Sequence, residues 1–174
     1  MKRIEVSPAL RTLRQAALSC GLMALLWAPG AHALTMPEAL SIAAGDNDER
    51  IAALQALTPR NDPAMPALIE ALLADQVKVA GDTVLIVDGD TARDAVTGAV
   101  VPVPDSAEDV INNSRMSSEL EAVLALPQLR SEDASERESA IDAVAEAPDE
   151  SKLPAIEQAL AQESVPVLRK QLET

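Results

Sequence analysis

Asp88-Gly89-Asp90, followed by Asp94, is where a metal ion would first be sought in this chain, because calcium loops place carboxylate oxygens at alternating positions. Ala92 holds the fifth position and Arg93 stands where such a loop needs glycine, so the stretch reads as a charged turn. Ser151-Lys152 supplies a nucleophile and a base by residue type, but neighbouring side chains on a helix point apart. Glycoside hydrolysis needs two acids set off from the rest and a surface that holds a sugar, and neither is legible here. No G-x-x-x-x-G-K-[ST] phosphate loop occurs. Arg50 and Arg137, each preceded by a glutamate, are cations whose placement recurs. A ligand role competes with ion pairing to carboxylates close by in sequence, and the spacing predicts the latter, setting helix packing. Asn112-Asn113 precedes a helix; Asn or Ser114 is expected to cap it, with partner contact as the other reading of the pair.

The residue inventory narrows this further. The 174 residues carry 28 acidic and 14 basic side chains, a net charge of −14, and the chain has no Phe or Tyr. A surface this acidic repels nucleic acid, and Trp27 alone gives little material for stacking bases, sugars or flavins. Cys20, Trp27 and His32, each the single residue of its type, lie within the first 33 positions. There Lys2, Arg3, Arg11 and Arg14 precede an apolar run at 16–28, then Pro29-Gly30 and Ala31-His32-Ala33. That is the order of a secretory signal peptide, with cleavage expected after Ala33 and export to the periplasm. The apolar run, interrupted by Ser19 and Gly21, falls short of the roughly 20 residues of a membrane span. Lipidation at Cys20 is disfavoured by Ala17, where lipoprotein signals carry leucine. Residues 34–174 then hold 10 basic and 27 acidic residues, a net charge of −17, and no Cys or His. Zinc, copper and iron lose their usual ligands, no disulfide can form, and no cofactor or enzymatic activity is expected.

Whatever these side chains do, aliphatic helices must position them. Ile51, Leu54 and Leu57 fall three apart; after a break at 58–62, Met65, Leu68, Ile69, Leu72 and Leu73 trace one helical face, with Pro63 or Pro66 in the first turn. The pattern returns near the other end. Residues 135–144 match the first helix at an offset of 87, and Leu153-Pro154-Ala155-Ile156 with Leu160 match Met65-Pro66-Ala67-Leu68 with Leu72 at an offset of 88. Hairpins at 48–75 and 135–162 are expected, with a further start at 165–172. The fold class is therefore mainly α, with HEAT- or armadillo-like helical hairpins that bury their apolar faces against one another. Another helix is predicted at 117–126. Between the hairpins, 77–79, 83–87 and 99–103 alternate or are β-branched, and Gly81, Gly89 and Gly98 supply turns. A small antiparallel β-meander insert at about 77–103 follows, its last strand an edge because Pro102 and Pro104 cannot donate to a ladder.

This order of segments resembles the extracytoplasmic N-terminal region of urea-type ABC transporter permeases, in the branched-chain amino acid and amide transporter group. The residues that carry the likeness are Asp48-Glu-Arg-Ile-Ala-Ala-Leu, Leu85-Ile86-Val87-Asp88-Gly89, Val110-Ile111-Asn112-Asn113-Ser114-Arg115 and the repeat around Arg137. The resemblance implies a non-enzymatic accessory or docking domain, truncated before the membrane-spanning part, whose partners are transporter components. No urea-binding residue carries over. The other reading is a stand-alone periplasmic helical-repeat scaffold for an unrelated protein.

Overall fold

The computed structural model describes residues 34–174; the expected leader at 1–33 and its cleavage site lie outside them. The described chain begins with a helix that the hydrophobic spacing does not announce. At its start Glu38 Oε2 accepts both the Thr35 amide (2.8 Å) and the Thr35 hydroxyl (2.7 Å), and Pro37 occupies the first turn of α1 (Met36–Ala43). The Thr-x-x-Glu spacing is the capping signature that marks this start. Gly45, at φ +99°, turns the chain into α2 (Asn47–Leu57), whose first free amides at Asp48 and Glu49 donate to the Asp46 carboxylate at 3.0 Å. A short 3₁₀ turn, Thr58–Arg60, leads to α3 (Met65–Leu73), with Pro66 in its first turn where a missing N–H costs nothing.

The sheet follows: β1 (Val77–Ala80), β2 (Thr83–Asp88), β3 (Thr91–Asp94), β4 (Val100–Val101) and β5 (Glu108–Asp109), in the antiparallel order β4-β3-β2-β1-β5. Gly81 and Gly89, at φ +57° and +60°, take the first position of two-residue hairpin loops, where an L side chain would be strained. The sheet is wider than the expected insert. β3 has one apolar residue, Ala92, and hides from a hydrophobicity reading; β5 lies beyond residue 103 and pairs Lys78 with Asp109. β4 is an edge strand, consistent with Pro102 and Pro104 beside it.

Asn113 caps α4 (Ser114–Ala125) by accepting the Met116 amide at 2.8 Å, and so starts the helix three residues before the expected 117. After a 3₁₀ turn, Leu126–Arg130, come α5 (Ala134–Ala145), the 3₁₀ turn Glu150–Lys152, α6 (Leu153–Gln162) and α7 (Pro166–Leu172). Among the described residues no helix is long and apolar enough to cross a membrane.

Two apolar clusters form. The larger joins Ile42, Leu54, Leu68, Leu72, Val77, Val84, Met116 and Leu120, so the sheet's inner face packs on α1 to α4. The smaller joins Leu129, Ala140, Ile141, Val144, Ala159 and Leu168 from α5 to α7. Of the eight side chains expected in the core, Ile51, Leu54, Leu68, Leu72, Ile141 and Val144 are buried, whereas Ile156 and Leu160 are half-buried. A slip of one residue against the expected alignment accounts for Leu160, while Ile156 stays on the inward face and packs on the smaller cluster without full burial. A shift of 87, not 88, carries Asp62 onto Asp149, Ile69 onto Ile156 and buried Leu72 onto buried Ala159. The matching prolines, Pro66 and Pro154, had suggested 88. Proline fixes the helix start and not its buried face, so Leu160 falls off the face that Leu72 occupies.

Candidate functional site

Arg50, Arg137 and Arg169 each occupy the fourth position of a helix: α2, α5 and α7. Their backbone amides make the first helical bonds to the carbonyls of Asp46, Asp133 and Val165. This places all three side chains one turn inside a helix start, reaching back toward the segment that precedes it. Arg50 is 2% exposed. Its Nε donates to the Ile42 carbonyl at 2.7 Å, Nη1 to Asn47 Oδ1 at 3.2 Å and to the Ile111 carbonyl at 3.0 Å, and Nη2 to Asn112 Oδ1 at 2.6 Å. Asn112 Nδ2 in turn donates to the Leu72 carbonyl at 2.7 Å. The ion pair expected from neighbouring acids does not form: these acceptors are carbonyl oxygens, because Asp48 and Glu49 sit at the exposed start of α2 while the guanidinium turns inward. Burial pushes the guanidinium below its ordinary pKa, and the ring of carbonyl dipoles holds the charge in place of a carboxylate.

Arg137 does meet a carboxylate, though one 26 residues away. Its Nε and Nη2 grip Glu163 at 2.7 and 3.2 Å, and Nη1 donates to the carbonyls of Ser131 and Glu132. The Glu163 side chain is 1% exposed. A two-pronged pair of this kind is short and directional. Arg169 donates to the Leu160 carbonyl at 3.1 Å and lies 3.5 Å from Glu173. Each arginine thus ties the start of its helix to carbonyls that end the preceding element.

The structure brings together Arg50 and Asn112; Asn113, one residue on, is exposed and spends its side chain on the α4 cap, while Arg137 lies in the other cluster. Lys152 stood out by type only as a base beside Ser151; its pairing with Glu119 was not legible. Lys152 is fully buried, and its Nζ donates to Glu119 Oε2 and to the Ala147 carbonyl, both at 2.7 Å; Gln55 Nε2 donates to Glu119 Oε1 at 3.3 Å. The pair lies where the two apolar clusters adjoin. The shift of 87 would have flagged it, because it lays Lys152 on buried Met65. With Nζ so engaged, the hydroxyl of Ser151 makes no bond to it, and the pairing of nucleophile with base is not assembled. At the acidic turn, Asp94 Oδ1 accepts the amides of Val96 and Thr97 at 3.0 and 2.7 Å. Among the described residues no group of three or more His, Cys, Asp or Glu converges as a metal site.

An apolar groove of about 540 Å³ is bounded by α5, α6 and α7. Leu129, Ile141, Val144, Ile156 and Leu172 line it with exposed Leu153, and Asp149, Glu150 and Glu173 add carboxylates. The chain matches no family model, and comparison with curated proteins and with solved structures gives no significant match.

Proposed function

We propose that this chain is an exported, non-enzymatic domain of α-hairpin repeats, serving as an accessory or docking region of a urea or amide ABC transporter permease. One observation carries the reading: two of the four segments on which the transporter resemblance rests, 48–54 and 110–115, adjoin through Arg50, whose side chain bonds the Ile111 carbonyl and Asn112. A likeness spread along a chain gains weight when its pieces form one bonded unit. The repeat character is supported by the arginine at the fourth position of α2, α5 and α7 and by the single shift that relates Asp62 to Asp149 and Leu72 to Ala159. Hairpin repeats of this type act by presenting extended contact surfaces. The two cations singled out as ligand candidates, Arg50 and Arg137, are spent on carbonyls and on Glu163, which favours contact over chemistry.

Amide uptake by cells lacking this coding segment is the test. Loss of uptake, restored by the intact gene, fits the docking role; unchanged uptake would favour a scaffold unrelated to transport.

A further inference from the structure

The groove between α5, α6 and α7 is aliphatic along its floor and acidic along its rim, and that combination selects an occupant. We propose that it docks a cationic amphipathic helix of a partner protein. An aliphatic stripe of that helix seats on Ile141, Val144, Ile156 and Leu172, and its lysines or arginines meet Asp149, Glu150 and Glu173. This rests on reading the domain as a docking module, and not on the transporter assignment.

Charge decides among the occupants. No lysine or arginine lines the groove, and residues 34–174 carry a net −17. An anionic lipid surface is therefore repelled. A second copy docked by a two-fold axis would set Asp149, Glu150 and Glu173 against the same three acids, which disfavours self-association. A small polar ligand finds acceptors but few donors to orient it. The rim instead offers an accessible carboxylate: Glu173 is held by Arg169 only at 3.5 Å, with both side chains about half exposed. Leu153, 48% exposed at the lip, is apolar surface that a helix would cover. Helix-in-groove recognition of this sort uses apolar anchors at i, i+3, i+4 and i+7 for affinity and flanking charge for orientation.

Fluorescence anisotropy on the intact protein tests this with three labelled peptides of about five helical turns: a leucine-lysine peptide with one leucine stripe, the same composition scrambled, and a leucine-glutamate counterpart. The striped cationic peptide should bind saturably, roughly tenfold or more tighter than the scrambled one, and the acidic one should not bind. Leu153→Gln and Glu150→Lys should each weaken binding roughly three- to tenfold, with circular dichroism confirming that both variants fold. Equal binding of striped and scrambled peptides, or variants that bind as well as the parent, would overturn the proposal. So would a dimer, seen by sedimentation, that Leu153→Gln dissociates. Lost peptide binding with uptake still dependent on the protein would remove the groove and leave the transporter reading; peptide binding with uptake unchanged would do the reverse.

Discussion

Asn112 stands between Arg50 and the end of α3, its Oδ1 accepting Arg50 Nη2 at 2.6 Å while its Nδ2 donates to the Leu72 carbonyl at 2.7 Å. One side-chain amide thereby joins the start of α2 to the end of α3 and to the segment that leads into α4. The geometry uses both ends of the amide, so an isosteric carboxylate cannot replace it without losing the donor to Leu72.

Asn112→Ala strands a buried guanidinium donor and leaves the Leu72 carbonyl only the Asp75 amide at 3.3 Å, and is expected to cost about 1–3 kcal/mol. Arg50→Lys keeps the charge and loses the planar fork, and about 2–3 kcal/mol is expected. Urea denaturation of both variants and the double mutant checks this. Single losses below about 0.5 kcal/mol, the size of ordinary surface effects, would contradict the structural role.

The Lys152–Glu119 pair makes a sharper prediction because its two partners are buried at the boundary of the clusters. Lys152→Met alone leaves Glu119 charged and unpaired and should cost about 3–5 kcal/mol. Lys152→Met with Glu119→Leu removes both charges, installs at 152 the residue type found at position 65, and should recover most of that loss. Thermal melts of the two variants separate the cases. A double variant no more stable than the single one would show that the pair acts through more than its mutual compensation.

Acid should destabilise the domain in a defined window. The Arg60 guanidinium, with the Thr35 amide and hydroxyl, holds the Glu38 carboxyl at about 2 instead of 4.5. Arg137, then the Val165 amide, holds Glu163 below the same starting value, in spite of desolvation. Both folded values are depressed, so their stabilisation is complete above about pH 4.5 and is lost as pH falls toward 2. Urea midpoints taken from about pH 6 down to about pH 3 should drop, and Glu163→Gln should flatten part of the decline. A Glu163→Gln profile parallel to the parent's would contradict the Arg137 assignment.

Much of the helical layout was legible because aliphatic spacing reports a buried face directly: Leu54, Leu68, Leu72, Ile141 and Val144 lie inside as their periodicity requires. α1 was missed for want of length, though Thr35-x-x-Glu38 announced it. Strands β3 and β5 carry almost no hydrophobic signal, being edge-ward ribbons of Thr, Arg, Asp and Glu held by backbone pairing. The site was legible by residue type and not by partner. Arg50 and Arg137 stand out in sequence, but Arg50 joins Asn112 across 62 residues and Arg137 joins Glu163 across 26, separations along the chain that only the packing of the helices closes. Lys152 was legible as a base beside Ser151 but not as a core residue, because a lysine is normally exposed.

Export has its own chemical signature. The expected processed chain begins at Leu34 and lacks Trp27, the single aromatic residue of the precursor, so it should have almost no absorbance at 280 nm. Intact mass and N-terminal sequencing of the exported protein check this. Retention of Trp27 would refute cleavage after Ala33.

The docking role itself is tested most directly by crosslinking the protein in its native envelope, recovering it at low and high salt, and identifying what is attached. The account predicts a permease, ATPase or binding-protein component of an amide-type ABC transporter, held more weakly as salt shortens the screening length from about 10 Å at 0.1 M. Recovery of only non-transport proteins at both salt concentrations would contradict it.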